Sequence, residues 1–195
     1  MGVAALLLFV RRLGLTLPLW LVAGWSAAEA ALFFIVADVP LSWIAVKSGT
    51  RAAILAAIVA AVASMIGGLL LFSWADHDPA AAIAAMNLLP GISPAMVGEA
   101  ASAYAAHGWW AMLEASFTGM PYKLFAVTAA RDGHDLLPLL AATPFVRLPR
   151  FVAVALLAGT TSHLLERRLM TRQRLMLLAI LWVLFYGFYF AVMPG

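Results

Sequence analysis

From Ala52 to Ser73 the chain runs for 22 residues without one charged side chain. As a helix at 1.5 Å per residue that stretch reaches about 33 Å, enough to cross a hydrocarbon core of about 30 Å. Trp74 follows at its end, where an interfacial aromatic belongs. A chain with one such span must satisfy every backbone group at that depth internally, which leaves helices as the simplest solution. Composition extends the argument to the whole molecule. Hydrophobic residues make up 65% of the 195 positions and charged residues 11%, against roughly 45–50% and 25% in ordinary soluble domains. A disordered chain and a coiled coil are excluded, and one soluble core of this length cannot hide so much apolar surface. The expected class is an all-α polytopic membrane protein, a single membrane domain over residues 1–195.

Two further spans are expected at Leu148–Leu165 and Leu175–Met193. Two other apolar stretches are broken. Leu13–Val36 carries Pro18 and Glu29, with Asp38 and Pro40 just beyond. Trp109–Val146 carries Glu114, Gly119, Pro121, Lys123, Arg131, Asp132, Gly133 and Pro138. An ionisable group at the bilayer centre costs about 2.5–3.5 kcal/mol even on a lenient scale. Charges beside prolines and glycines therefore predict interrupted, re-entrant helices, which survive only when buried in protein or lining a wet cavity. Between them, Asp76–Gly108 is more polar and is punctuated by Asp78-Pro79, Pro90-Gly91 and Ser93-Pro94, which predicts a connector with two short helices.

Charge placement orients the map. The basic groups are Arg11/Arg12, Lys47/Arg51 and Arg167/Arg168/Arg172/Arg174, and no Lys or Arg lies between Arg51 and Lys123. The positive-inside rule puts all three groups, including the loop 166–174, in the cytoplasm and the acidic interval outside. The net charge of +3 then belongs to cytoplasmic loops and not to nucleic-acid binding. Arg11 and Arg12 follow a short apolar run instead of preceding it, the reverse of a cleaved signal.

The broken stretches look alike. Trp25-x-x-x-Glu29-Ala30 matches Trp110-x-x-x-Glu114-Ala115, and the same offset of 85 pairs Asp38 with Lys123. The charge map places the copies on opposite faces, so an inverted repeat is expected, with repeat 1 near 13–73, a connector near 74–108, repeat 2 near 109–165 and a final helix at 175–193.

The run Ser116–Phe125, containing Pro121-Tyr122-Lys123, followed by Arg147-Leu148-Pro149-Arg150-Phe151, resembles the DedA family of VTT-domain (SNARE-associated) membrane proteins, nearest its YqaA-like branch. The stretch Glu29–Val39 is similar to that family's first turn, and the likeness covers roughly residues 20–160. Phe34, Val36 and Ala37 stand where the family has prolines, which predicts a more regular first turn; Gly119 stands for the first proline of the second, and Arg131 for a glycine. The resemblance implies two facing re-entrant helices and a role in moving lipid across the bilayer, a bacterial inner membrane, as a transporter or scramblase of phospholipid or polyprenyl phosphate. Partners would be anionic membrane lipids, with association of copies left open.

Lys123, Arg147 and Arg150 are the candidate headgroup-binding residues. Lys123 either meets a lipid phosphate or neutralises Asp38. Arg147 and Arg150 either fork onto phosphate oxygens or snorkel at the interface. Glu29, Asp38 and Glu114 are candidate proton- or ion-coupling carboxylates, the glutamates alternatively capping half-helices. Gly119, Pro121 and Tyr122 form the second turn. Asp76-His77-Asp78 is read as a solvated loop, and no metal or cofactor is expected. With no G-x-S-x-G elbow and no H-E-x-x-H, the chain is expected not to be an enzyme. The competing functions are a proton-coupled transporter of a small solute and a non-catalytic structural membrane protein.

Overall fold

The structure is a computed structural model that describes residues 16–192. Arg11, Arg12, the first residues of repeat 1 and Met193 lie outside the described residues. Nine helices and no strand occur among those described: α1 (Thr16–Ala31), α2 (Asp38–Ser48), α3 (Thr50–His77), α4 (Pro79–Asn87), α5 (Pro94–His107), α6 (Trp109–Thr118), α7 (Tyr122–Arg131), α8 (Leu136–Leu165) and α9 (Thr171–Val192). Three of them, α3, α8 and α9, are long and apolar enough to cross a membrane.

The uncharged run sits inside α3, which extends it at both ends to 28 residues. The inward face of α3 is mostly alanine: Ala52, Ala53, Ala56, Ala57, Ala60 and Ala61 are all buried. Small side chains let neighbouring backbones come close, the usual way helices associate where hydrophobicity cannot drive them together. At Gly67 the approach is closest, since an added Cβ would collide with the Ala27 carbonyl and the Ala30 side chain of α1. Ser26 reinforces that crossing with a hydrogen bond to the Ala60 carbonyl at 2.8 Å and another shared with Ser64 at 2.9 Å. The alanine face packs against α1, α2 and α8, with Leu41, Ile44 and Phe151 at its centre.

A second cluster surrounds α7. Every residue of this ten-residue helix from Tyr122 to Ala130 is buried. At about 15 Å this helix is too short to span a bilayer. Its neighbours are α3, α5, α4, α6, α8 and α1.

The third expected span starts earlier than its sequence suggested. Instead of Leu148–Leu165, one helix of 30 residues runs from Leu136, with Pro144 and Pro149 inside it. Each proline deprives the carbonyl four residues before it of its helical donor, but neighbouring helices tolerate such gaps in buried apolar segments. Here Ser116 Oγ donates to the Val146 carbonyl at 2.9 Å from α6, close to the gap. The second broken stretch therefore ends at Arg131. Arg131 and Asp132 pair with each other at that exposed end, 2.7 Å apart.

The connector holds two short helices, as expected, each with proline in its first turn. Asp78 caps α4 by accepting from the Ala81 amide at 3.0 Å. The last helix, α9, packs mainly against α2 and has no buried residue.

Candidate functional site

Two helix interruptions meet in the middle of the molecule. The first, residues 32–37 between α1 and α2, contains neither glycine nor proline. The expectation of a more regular first turn is overturned: this is the longer interruption, and side chains from elsewhere hold it. Trp25 Nε1 donates to the Ile35 carbonyl at 3.0 Å, Lys123 Nζ donates to the Phe33 carbonyl at 2.7 Å, and the Val36 amide donates to Tyr186 Oη at 2.9 Å. Open backbone in an apolar interior needs such partners. The second interruption, residues 119–121, is made locally. Gly119 adopts a left-handed conformation (φ 94°) and closes α6 by donating to the Ala115 carbonyl, and Pro121 leads into α7.

Charges converge on this meeting point. Glu29 of α1 and Arg147 of α8 form an ion pair with both side chains buried. Arg147 also lies over the rings of Tyr122 and Phe151, 5.2 and 4.9 Å from their centroids, a stacking that suits guanidinium. Its Nη1 is buried with no hydrogen-bond partner. Tyr122 is fixed in turn by a 2.7 Å hydrogen bond with Thr143.

Asp38, at the first turn of α2, receives two hydrogen bonds from Arg150 on one oxygen, at 3.0 Å from Nε and 2.5 Å from Nη2. Its other oxygen, Oδ1, is buried without a partner. The expected pairing of Asp38 with Lys123 is therefore replaced by Asp38 with Arg150. Lys123, 4% exposed, has a carbonyl as its partner and forms no ion pair among the described residues.

These groups line one cavity of about 180 Å³. Of the candidate residues, Glu29, Gly119, Pro121, Tyr122, Lys123, Arg147 and Arg150 border it. Asp38 borders an adjoining hollow that also touches Arg150. Glu114 is not among them; it is exposed on α6. The repeat keeps the spacing Trp-x-x-x-Glu, but the two helices are rotated differently. In α1 that face points inward, whereas in α6 Trp110 is exposed and stacks on Trp109.

Sequence reasoning missed the wall that α9 supplies. Phe185, Tyr186 and Tyr189 close one side of the cavity. Trp182 donates to Ser42 Oγ at 3.0 Å, and the Tyr189 hydroxyl lies against Gly91 and Pro90. The available signal was the spacing of Trp182, Tyr186 and Tyr189, four and three residues apart on one helical face, with polar tips inside an apolar run.

Chemically the cavity carries three cations, Lys123, Arg147 and Arg150, and the site as a whole two carboxylates, Glu29 and Asp38. Lys123 also sits in the first turn of α7, where free backbone amides and the helix dipole already make the potential positive. No family model matches the chain, and neither does any curated protein or solved structure.

Proposed function

We propose that the chain is an integral membrane lipid transporter or scramblase, in which the two interruptions are re-entrant turns of an inverted repeat and the cavity between them receives an anionic headgroup. Kinship with the DedA family is part of this proposal and rests on the motif residues alone. The inverted repeat is supported by an exchange in the packing. The second half of each broken unit reaches the long helix of the other, α2 against α8 as well as its own α3 and α7 against α3, while α3 and α8 pack on each other. Such an exchange is what a pseudo-two-fold axis produces.

The observation that carries the function is the uncompensated positive charge. A buried ammonium that forms no ion pair among the described residues, beside a buried guanidinium nitrogen without a hydrogen-bond partner and a helix N-terminus, favours an anion. A phosphate oxygen supplies the missing charge and the missing acceptor together. The chain then acts without covalent chemistry: headgroups exchange onto Lys123 and Arg147 while acyl tails stay in the lipid.

Reconstitution in liposomes tests this. Fluorescent phospholipid or polyprenyl phosphate should equilibrate between leaflets faster with the protein than without it, and no acceleration of either lipid contradicts the reading. Orientation is tested separately by cysteine labelling. Cysteines at positions 78 and 99 should label from outside intact cells, and one at position 173 only after permeabilisation; labelling of 99 and 173 from the same face contradicts the inverted repeat.

A second reading, proton-coupled transport of a small solute, is favoured by one feature, the buried and unpartnered Oδ1 of Asp38, which can hold a proton. Flux that stops when the proton gradient is collapsed selects it.

A further inference from the structure

Consecutive antiparallel helices joined by a short linker ordinarily pack along their length. Here α8 and α9 do not, although only residues 166–170 separate them. The main partner of α9 is α2, and its contact with α8 is marginal. The gap between them is an apolar crevice made of two adjoining hollows of about 500 and 460 Å³, which share Val154, Leu157, Leu181 and Trp182. The upper hollow meets the headgroup cavity at Arg150, and the lower one ends at Ser162 and Arg174, beside the linker.

That linker end is the most basic place in the chain. Arg167 and Arg168 lie in the linker, Arg172 and Arg174 in the first turn of α9, and Glu166 is the one acid among residues 166–174. Arg167, Arg168 and Arg172 are exposed. Arg174 is anchored at the crevice end, its Nη1 donating to Ser162 Oγ at 2.7 Å and to the Ser162 carbonyl at 2.9 Å, its Nη2 to Thr171 at 3.0 Å, while its Nε has no partner. An apolar slot closed at one end by cations is complementary to one molecule of the bilayer. We infer that the lower crevice is a resident lipid site, holding an acyl chain of an anionic phospholipid between α8 and α9 with its headgroup on the arginines of the linker end. Basic pockets between transmembrane helices recognise anionic headgroups in this way. The site is separate from the headgroup cavity; it rests on the membrane reading above but not on lipid movement.

The test is native mass spectrometry of the full chain in mild non-ionic detergent, titrated with phosphatidylglycerol and phosphatidylcholine of identical chains. Phosphatidylglycerol should be retained preferentially, and the preference should fall by about fivefold for each engaged arginine removed. Arg172→Gln combined with Arg174→Gln removes two. Arg167→Gln with Arg168→Gln, both exposed, gives the same direction without touching the hydrogen bonds of Arg174. Ala158→Phe, which fills the crevice, should reduce retention of both lipids. The fall on removing an arginine pair should be as large in a Lys123→Met background as in the parent, which separates this site from the cavity even if transport fails in every assay. Equal retention of the two lipids, an undiminished preference in both arginine pairs, no further fall when an arginine pair is removed in the Lys123→Met background, or a dimer without retained lipid each overturns the inference.

Discussion

The two helix interruptions solve one problem by opposite means. The second is written into its own backbone: Gly119 takes the left-handed conformation and Pro121 removes a donor. The first has no such residue. It stays open because Trp25, Lys123 and Tyr186 reach its carbonyls and amide from α1, α7 and α9. A locally encoded break can form early and alone, whereas a tethered break exists only in the assembled bundle. The tethered one is also flanked by both buried carboxylates, Glu29 at the end of α1 and Asp38 at the start of α2, so the electrostatics of the site depend on the part of the fold that is least able to form by itself.

The largest difference is expected between the two glutamates that the repeat places in register. Glu29→Gln leaves Arg147 buried without its counter-ion and should destabilise the protein by about 3–5 kcal/mol. Glu114→Gln, on an exposed face, should stay within about 0.5 kcal/mol. Thermal unfolding in detergent reads both, and similar effects for the two would remove the distinction. Next come the breaks themselves. Tyr186→Phe strands the Val36 amide and should cost about 1–3 kcal/mol, while Gly119→Ala, whose new Cβ meets only open space, should cost about 1–2 kcal/mol of backbone strain. A Tyr186→Phe protein as stable as the parent would show that α9 does not hold the first break.

The smallest effects sharpen the ion-pair assignment. A double-mutant cycle between Asp38→Asn and Arg150→Gln should show a coupling of about 0.5–3 kcal/mol, and one between Asp38→Asn and Lys123→Met should be additive within about 0.5 kcal/mol. Coupling in the second cycle alone would restore the pairing that the 85-residue offset suggested.

Much of this is legible in the sequence. The span within α3 was plain because no charge interrupts it. Glu29, Lys123, Arg147 and Arg150 stood out because charge at membrane depth is costly enough to need a reason. The start of α8 was hidden because the second broken stretch was carried on to Val146, past Pro138, which sits in the first turn of the helix where proline is tolerated. Pairings across 112 and 118 residues of sequence, Asp38 with Arg150 and Glu29 with Arg147, leave no local trace. The rotation that buries Glu29 and exposes Glu114 is also invisible, because a repeat preserves spacing and not the direction a helix faces. The roles of Tyr186 and Tyr189 were hidden because their partners, Val36 and the Pro90-Gly91 turn, lie far along the chain.

The central claim is that Lys123 is the cation a lipid phosphate meets, and its most direct test is leaflet exchange of a fluorescent anionic phospholipid in liposomes. Lys123→Met removes the charge and, being of similar length and apolar, suits its buried surroundings. Each charge-assisted hydrogen bond to phosphate is worth about 1.5–3 kcal/mol, or one to two decades in affinity. Exchange should therefore slow by about 10–100-fold in Lys123→Met while Glu114→Gln exchanges like the parent protein. Parent-like exchange by a folded Lys123→Met protein would contradict the account.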